Sequence, residues 1–161
     1  MACMERGIPD DGAAALARLL RGERIAHLAT LRQGAPMASM TLYLPDAQFA
    51  AFHVHVSRLA WHTQDMAQDP RVALSIAETD DGRADPFTLM RASIRGTAQQ
   101  LEGAQAELKR QWLVCFPEQA INFELADFSF WRIVPRDARF VAGFGRIHNL
   151  SAAELAACSN C

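Results

Sequence analysis

The stretch His53-Val54-His55-Val56-Ser57-Arg58-Leu59-Ala60-Trp61-His62-Thr63 joins a run of alternating oily and polar residues to one with helical spacing. Neighbours in a strand point to opposite faces, so Phe52, Val54 and Val56 share an apolar face while His53, His55 and Ser57 share a hydrogen-bonding one. Past Ser57, Leu59 and Met66 stand two turns apart and Asp69-Pro70 stops the pattern, so residues 58–68 read as a helix with Ser57 as its N-cap. A helix start carries free N–H groups and partial positive charge, and Ser57, Arg58, His62 and Thr63 add side-chain donors there. A phosphate could be held at such a corner. Taken alone, the same residues also describe a capped surface helix that binds nothing.

The other segments arrange themselves around this strand. Asp10 or Asp11 can cap a first helix with Leu16, Leu19 and Leu20 on one stripe, ended by Gly22. Arg24 to Leu31 and Pro36 to Leu44 read as a hairpin turning at Arg32-Gln33-Gly34-Ala35, and Gln48 to Val56 extends it to a meander. Ser39, Thr41 and Tyr43 share one face of the second strand, Ala38, Met40, Leu42 and Leu44 the other. Arg71 to Ala77 is a further strand, and Thr79 to Pro86 a polar loop. Phe87 to Leu101 alternates with Arg91, Ser93, Arg95 and Thr97 on one face, which is either a solvated outer face or a row of anion contacts. Gly96 within it marks a bulge or the close approach of another backbone. Gly103 to Phe116 is a helix burying Leu108, Trp112 and Cys115 and closed by Pro117. Phe128 to Val134 and Arg139 to Phe144 are two strands around Pro135-Arg136-Asp137, and the tail after His148 carries a weak helical pattern.

The chain's 161 residues suit one domain, and half of them are hydrophobic, an ordinary soluble composition. A net charge of −2 makes nucleic acid a poor default partner. No run approaches the roughly 18 apolar residues a membrane helix needs. Glu5, Pro9 and Asp10 stand where a secretion leader would need an oily core, so a cytoplasmic protein is expected. Cys3, Cys115, Cys158 and Cys161 lack further ligands at zinc spacing and read as reduced thiols, the last two on a frayed tail. The motifs of P-loop, serine-hydrolase, zincin and dinucleotide-binding enzymes are absent from the chain. Antiparallel strands with helices at one end and across the middle give an α+β fold, mainly β, a small barrel or closed sheet with peripheral helices.

The order of pieces resembles the pyridoxamine 5'-phosphate oxidase-like FMN-binding split barrels, and within them the haem-utilisation branch. The residues that carry the resemblance are Pro36-Met37-Ala38-Ser39, the Ser57 to Thr63 segment, Asp69 to Leu74, Arg91 to Gly96, and Arg139-Phe140-Val141-Ala142-Gly143-Phe144-Gly145-Arg146. The resemblance implies a six-stranded antiparallel split β-barrel, a homodimer, and FMN at the dimer interface serving an oxidoreductase with a small-molecule substrate. Carried over by position, Pro36, Met37, Ala38, Ser39 and Met40 would lie along the flavin ring and ribityl chain, and Ser57, Arg58, His62 and Thr63 around its phosphate, with Arg91 and Arg95 as additional contacts. Two departures stand out. No lysine precedes Lys109, whereas the oxidase holds phosphate with a lysine-containing segment, and Arg146-Ile147-His148 follows Gly-Phe-Gly as in the haem branch. The branch implies the alternative of a haem-binding or haem-degrading protein with His148, then His55 and His62, as candidate iron ligands. A third reading is a dimeric binding module that kept the barrel and lost the cofactor.

Overall fold

The computed structural model describes residues 7–161, so Cys3 lies outside it. Helix α1 (Asp10–Gly22) leads into β1 (Ile25–Arg32), β2 (Ala35–Leu42), β3 (Leu44–Pro45) and β4 (Phe52–Ser57). Then come α2 (Trp61–Gln68), β5 (Arg71–Ala77), β6 (Arg91–Gln100), α3 (Ala106–Cys115), β7 (Phe128–Val141), β8 (Ile147–Ser151) and α4 (Ala152–Ala157). The strands form one antiparallel sheet in the order β2-β1-β5-β6-β7-β4-β3, with β8 added on β7. It curls into a half-barrel. The seven expected strand segments are present, the last two joined as one strand, and the two-residue β3 and the short β8 bring the count to eight.

Alternation decides which side is the inside. Ala26 and Leu28 of β1, Leu74 and Ile76 of β5, Ala92 and Ile94 of β6, Ile133 and Phe140 of β7, and Phe52 and Val54 of β4 form the core. Helix α1 closes it with Leu16, Leu19 and Leu20, and the Tyr43 hydroxyl donates to the Leu20 carbonyl at 2.8 Å. Each fully buried leucine here is worth about 1.5–3 kcal/mol. Trp112 is buried as expected, in a second aromatic cluster with Phe116 and Phe130 on the opposite side of the sheet.

Several expected boundaries move. Ser57 is the last residue of β4 and not a helix cap; its Oγ accepts from the Leu59 N–H at 3.1 Å and closes a serine turn, while α2 starts after Ala60 without a side-chain cap. Leu59, expected on the buried stripe, is 70 % exposed. Pro9 occupies the cap position of α1, and Asp11 pairs instead with Arg146 at 2.7 Å. The segment Pro86–Thr88 is a 3₁₀ turn capped by Asp85, so β6 begins only at Arg91. In α3, Trp112 is buried but Cys115 is exposed.

The two strands expected around Pro135 are one. β6 and β7 pair from Arg91↔Val141 to Arg95↔Asp137 and resume at Gly96↔Pro135, leaving Arg136 as the extra residue of a bulge. Pro135 has no N–H to offer a ladder, and a bulge is where a strand tolerates that. Gly96 lies against it, and a Cβ at that position would stand 2.3 Å from the Val134 carbonyl oxygen. The tail is not frayed either. Ser151 and Glu154 form a reciprocal capping box on α4, Cys158 is buried with its Sγ on the Glu154 carbonyl, and Arg21 donates to the Ser159 and Cys161 carbonyls.

Gly96→Ala therefore forces backbone against backbone. Chemical denaturation of this variant should show a loss of about 1–3 kcal/mol, while Gly34→Ala, with open space around it and a left-handed turn conformation, should lose about 1 kcal/mol.

Candidate functional site

The corner at the start of α2 is organised by a residue that sequence patterning passed over. Asp65 is 3 % exposed, accepting from Thr30 Oγ1 and from Arg32 Nη1, both at 2.8 Å. The Arg32 guanidinium in turn lies 4.1 Å from the ring centroid of Trp61. Thr63 Oγ1 and His62 Nε2 are buried beside this network with no partner. Burial lowers the His62 pKa, partly offset by the Asp65 carboxylate, so its ring is neutral at pH 7.

Ser57 and Arg58 face a different neighbour. The Ser57 hydroxyl donates to the Asp127 carboxylate and the Arg58 N–H to the Asp127 carbonyl at 2.8 Å. The Arg58 guanidinium makes no hydrogen bond among the described residues and is exposed. Of the four expected phosphate donors, then, one is engaged by a carboxylate, two hold polar atoms closed to solvent, and one is free. An anion set against Ser57 would have to sit beside the Asp127 carboxylate, which disfavours it there.

The remaining expected residues divide between the two faces of the sheet. In the β1–β2 ladder Met37 is opposite Thr30 and Ser39 opposite Leu28 on the core side, whereas Pro36, Ala38 and Met40 are opposite Leu31, Ala29 and His27 on the outer side. Arg91 donates to the Phe87 and Leu89 carbonyls at 3.2 and 3.1 Å, and Arg95 forms a two-point pair with Asp137 at 2.7 and 2.8 Å. His148 packs nearly parallel to Phe140, its Nε2 buried without a partner near Gly12 of α1. That nitrogen is closed to an outside ligand.

Of the expected residues Pro36, Ala38, Met40, Arg91 and Arg95 fall on the outer face, where His27 was not singled out from sequence, and the register there is simple. One row runs Met40, His27, Ser75, Ser93, Arg139, Asn149, and the next runs Ala38, Ala29, Ala73, Arg95, Asp137, Ser151. The alanines and serines make a low floor on which a flat ring or a second sheet can approach the backbone closely. Met40 stands on it 63 % exposed, with Ile25 and Ile147 also uncovered. His27 is exposed and makes no hydrogen bond among the described residues, whereas each of the other four histidines has a buried ring nitrogen without a partner. Arg95, Arg136 and Arg139 border an open hollow of about 610 Å³ at the β6–β8 end.

Residues 13–142 match the family model for pyridoxamine 5'-phosphate oxidase. The chain belongs to that family, in its haem-utilisation branch. It is 33 % identical over 129 residues to the chloroplastic heme oxygenase HOZ of Arabidopsis thaliana, an alignment spanning 78 % of this chain and 38 % of that protein. It is 25 % identical over 131 residues to the heme oxygenase HutZ of Vibrio cholerae, spanning 76 % of this chain and 71 % of that protein. Among solved structures, a heme binding protein from Mycobacterium smegmatis superposes with a TM-score of 0.78 at 28 % identity, covering 90 % of this chain and 60 % of that one. Campylobacter jejuni ChuZ shares the fold, with a TM-score of 0.80 at 17 % identity over 94 % of this chain and 63 % of that one. Three of these proteins, HOZ, HutZ and the Mycobacterium smegmatis protein, are named for haem. No helix among the described residues is long and apolar enough to cross a membrane.

Two measurements probe the geometry. Asp65→Ala strands the Arg32 charge and should cost about 3 kcal/mol by chemical denaturation, and Thr30→Val, which removes one hydrogen bond, about 1 kcal/mol. His55 is the second: burial, with Lys109 close by, pulls its pKa from 6.5 to about 4. Between those values the unfolded chain binds a proton that the folded one refuses, so stability is held above pH 6.5 and falls as pH drops toward 4. In His55→Phe the denaturation midpoint should decline less over that window.

Proposed function

We propose that this chain binds haem on the outer face of its sheet, as one half of a homodimer, and acts in haem utilisation. The observation that carries the reading is His27, the one exposed imidazole, standing beside an alanine and serine floor in a chain whose relatives are named for haem. Haem needs an axial ligand, an apolar bed and cations for its propionates. His27, then Met40 with Ala29, Ala38 and Ala73, then Arg95 and Arg139 would supply these in turn. Bound haem contributes an iron centre whose reactivity the axial ligand tunes. The protein's own part is to present that ligand and to exclude water by covering the face. A second copy is the natural cover: β2 is a free sheet edge, and Met40, Ile25 and Ile147 are left uncovered by the single chain. Haem breakdown, as the name heme oxygenase implies for the relatives, is part of this proposal.

The test is a hemin titration followed by absorbance, with the mass of the species measured by light scattering. A saturable Soret band on a dimer is expected. His27→Ala should weaken binding by about tenfold or more and alter the band, while His148→Ala should leave both unchanged. Met40→Arg should yield monomers. A spectrum indifferent to His27→Ala would exclude that ligand. Saturable quenching of FMN fluorescence, with no hemin binding, would restore the flavin reading.

A further inference from the structure

On β4 the polar face leads away from the His27 floor, to the far end of the same side of the sheet, where α3 and the 3₁₀ segment Pro117–Glu124 cover it. Under them lies a hollow of about 420 Å³. Such a volume falls in the roughly 300–1,000 Å³ range of small-molecule sites. Its walls are aromatic. His55 stacks on Phe123 at 4.0 Å between ring centroids and meets Phe130 at 4.6 Å and Phe128 at 5.3 Å, and Leu101 completes the apolar lining.

Polar groups are few and unevenly placed. Gln105 donates to the Glu102 carbonyl and Ser129 accepts from Gln100, so both are engaged. His55 is neutral at pH 7 for the reasons given above, and its Nδ1 is buried with no partner. Lys109, the sole lysine of the chain, stands at the wall with its ammonium 4.8 Å from the Phe123 ring centroid. It makes no ion pair among the described residues, although Glu107 two positions away is taken by Arg110. Ala106, the first residue of α3, lines the same wall and brings the positive end of the helix to it. An uncompensated cation beside an aromatic hollow favours one kind of guest, an apolar body ending in an anion.

We infer that this hollow is a binding site for a small aromatic carboxylate, its ring among Phe123, Phe128, Phe130 and His55 and its carboxylate on Lys109. This site is separate from the haem face and does not depend on it. A neutral imidazole suits the ring wall, since a charged one would have to be desolvated against three phenylalanines. The aromatic walls select against a purely inorganic anion, and Lys109 selects against an uncharged ring.

Calorimetric titration of the full chain with phenylbutyrate and with its uncharged amide tests the assignment. Saturable binding of the carboxylate is expected, with the amide weaker by about tenfold, the loss of one charge-assisted contact. Lys109→Met keeps the stem and removes the charge, so it should abolish the preference for the carboxylate while leaving the amide's affinity and the thermal midpoint in place. Ala104→Trp, a substitution in the lining loop, should block both ligands. Equal binding of the carboxylate by the Lys109→Met and unaltered chains would overturn the inference. So would the absence of saturable binding by the folded protein, or displacement of phenylbutyrate by hemin in a Lys109-dependent manner, which would give the hollow to haem.

Discussion

A carboxylate sealed inside a protein is tolerable only when its oxygens are matched, and Asp65 is matched by two residues of β1, the Thr30 hydroxyl and the Arg32 guanidinium. Those two bonds fix α2 against the end of the sheet. Once α2 is fixed, Met66 fills the core beneath it, Thr63 turns inward, and Trp61 is left outside as a platform for the arginine. The turn from Ser57 to Ala60 then has to bridge β4 and α2, and it is pinned at its near end by Asp127. The corner is thus braced from inside by Thr30, Arg32 and Asp65, with Thr63 Oγ1 and His62 Nε2 left beside the brace without partners.

Much of this fold could be read directly. Alternation in Phe52 to Ser57 gives the inside of the half-barrel, although the face read as hydrogen-bonding places His55 among aromatic rings, Gly96 announces the backbone that crosses it, and the Leu16, Leu19, Leu20 stripe places α1. Other features escaped for physical reasons. A serine before a helical run looks the same whether its hydroxyl caps the helix or closes a turn one residue on, and only the backbone path decides. Pro135-Arg136-Asp137 has the composition of a turn, yet a bulge uses the same missing N–H to keep one strand going. The Thr30–Arg32–Asp65 set joins residues more than thirty positions apart, beyond the reach of any periodicity. His27 sits among small apolar residues in a strand, and its meaning appears only when Met40, Ser75 and Ser93 line up with it across four strands.

The two sides of the sheet are consequently built for different purposes. The inner side is closed by α1 and close-packed, as stability demands. The outer side is divided: one end is roofed by α3 and lined with aromatic rings, the other is low, small-residued and open. A scaffold does not by itself fix a cofactor, and the chemistry of that open side is what separates a haem reading from a flavin one.

The bulged β7 has a consequence for how the molecule comes apart. It hydrogen-bonds to β6, to β4 and to β8, so three ladders have one strand in common. Pulling any of these neighbours away loosens the remaining two, which leaves little room for a half-melted sheet. The slowest amide protons to exchange will cluster along Phe130 to Phe140, and the sheet will be lost in a single cooperative step.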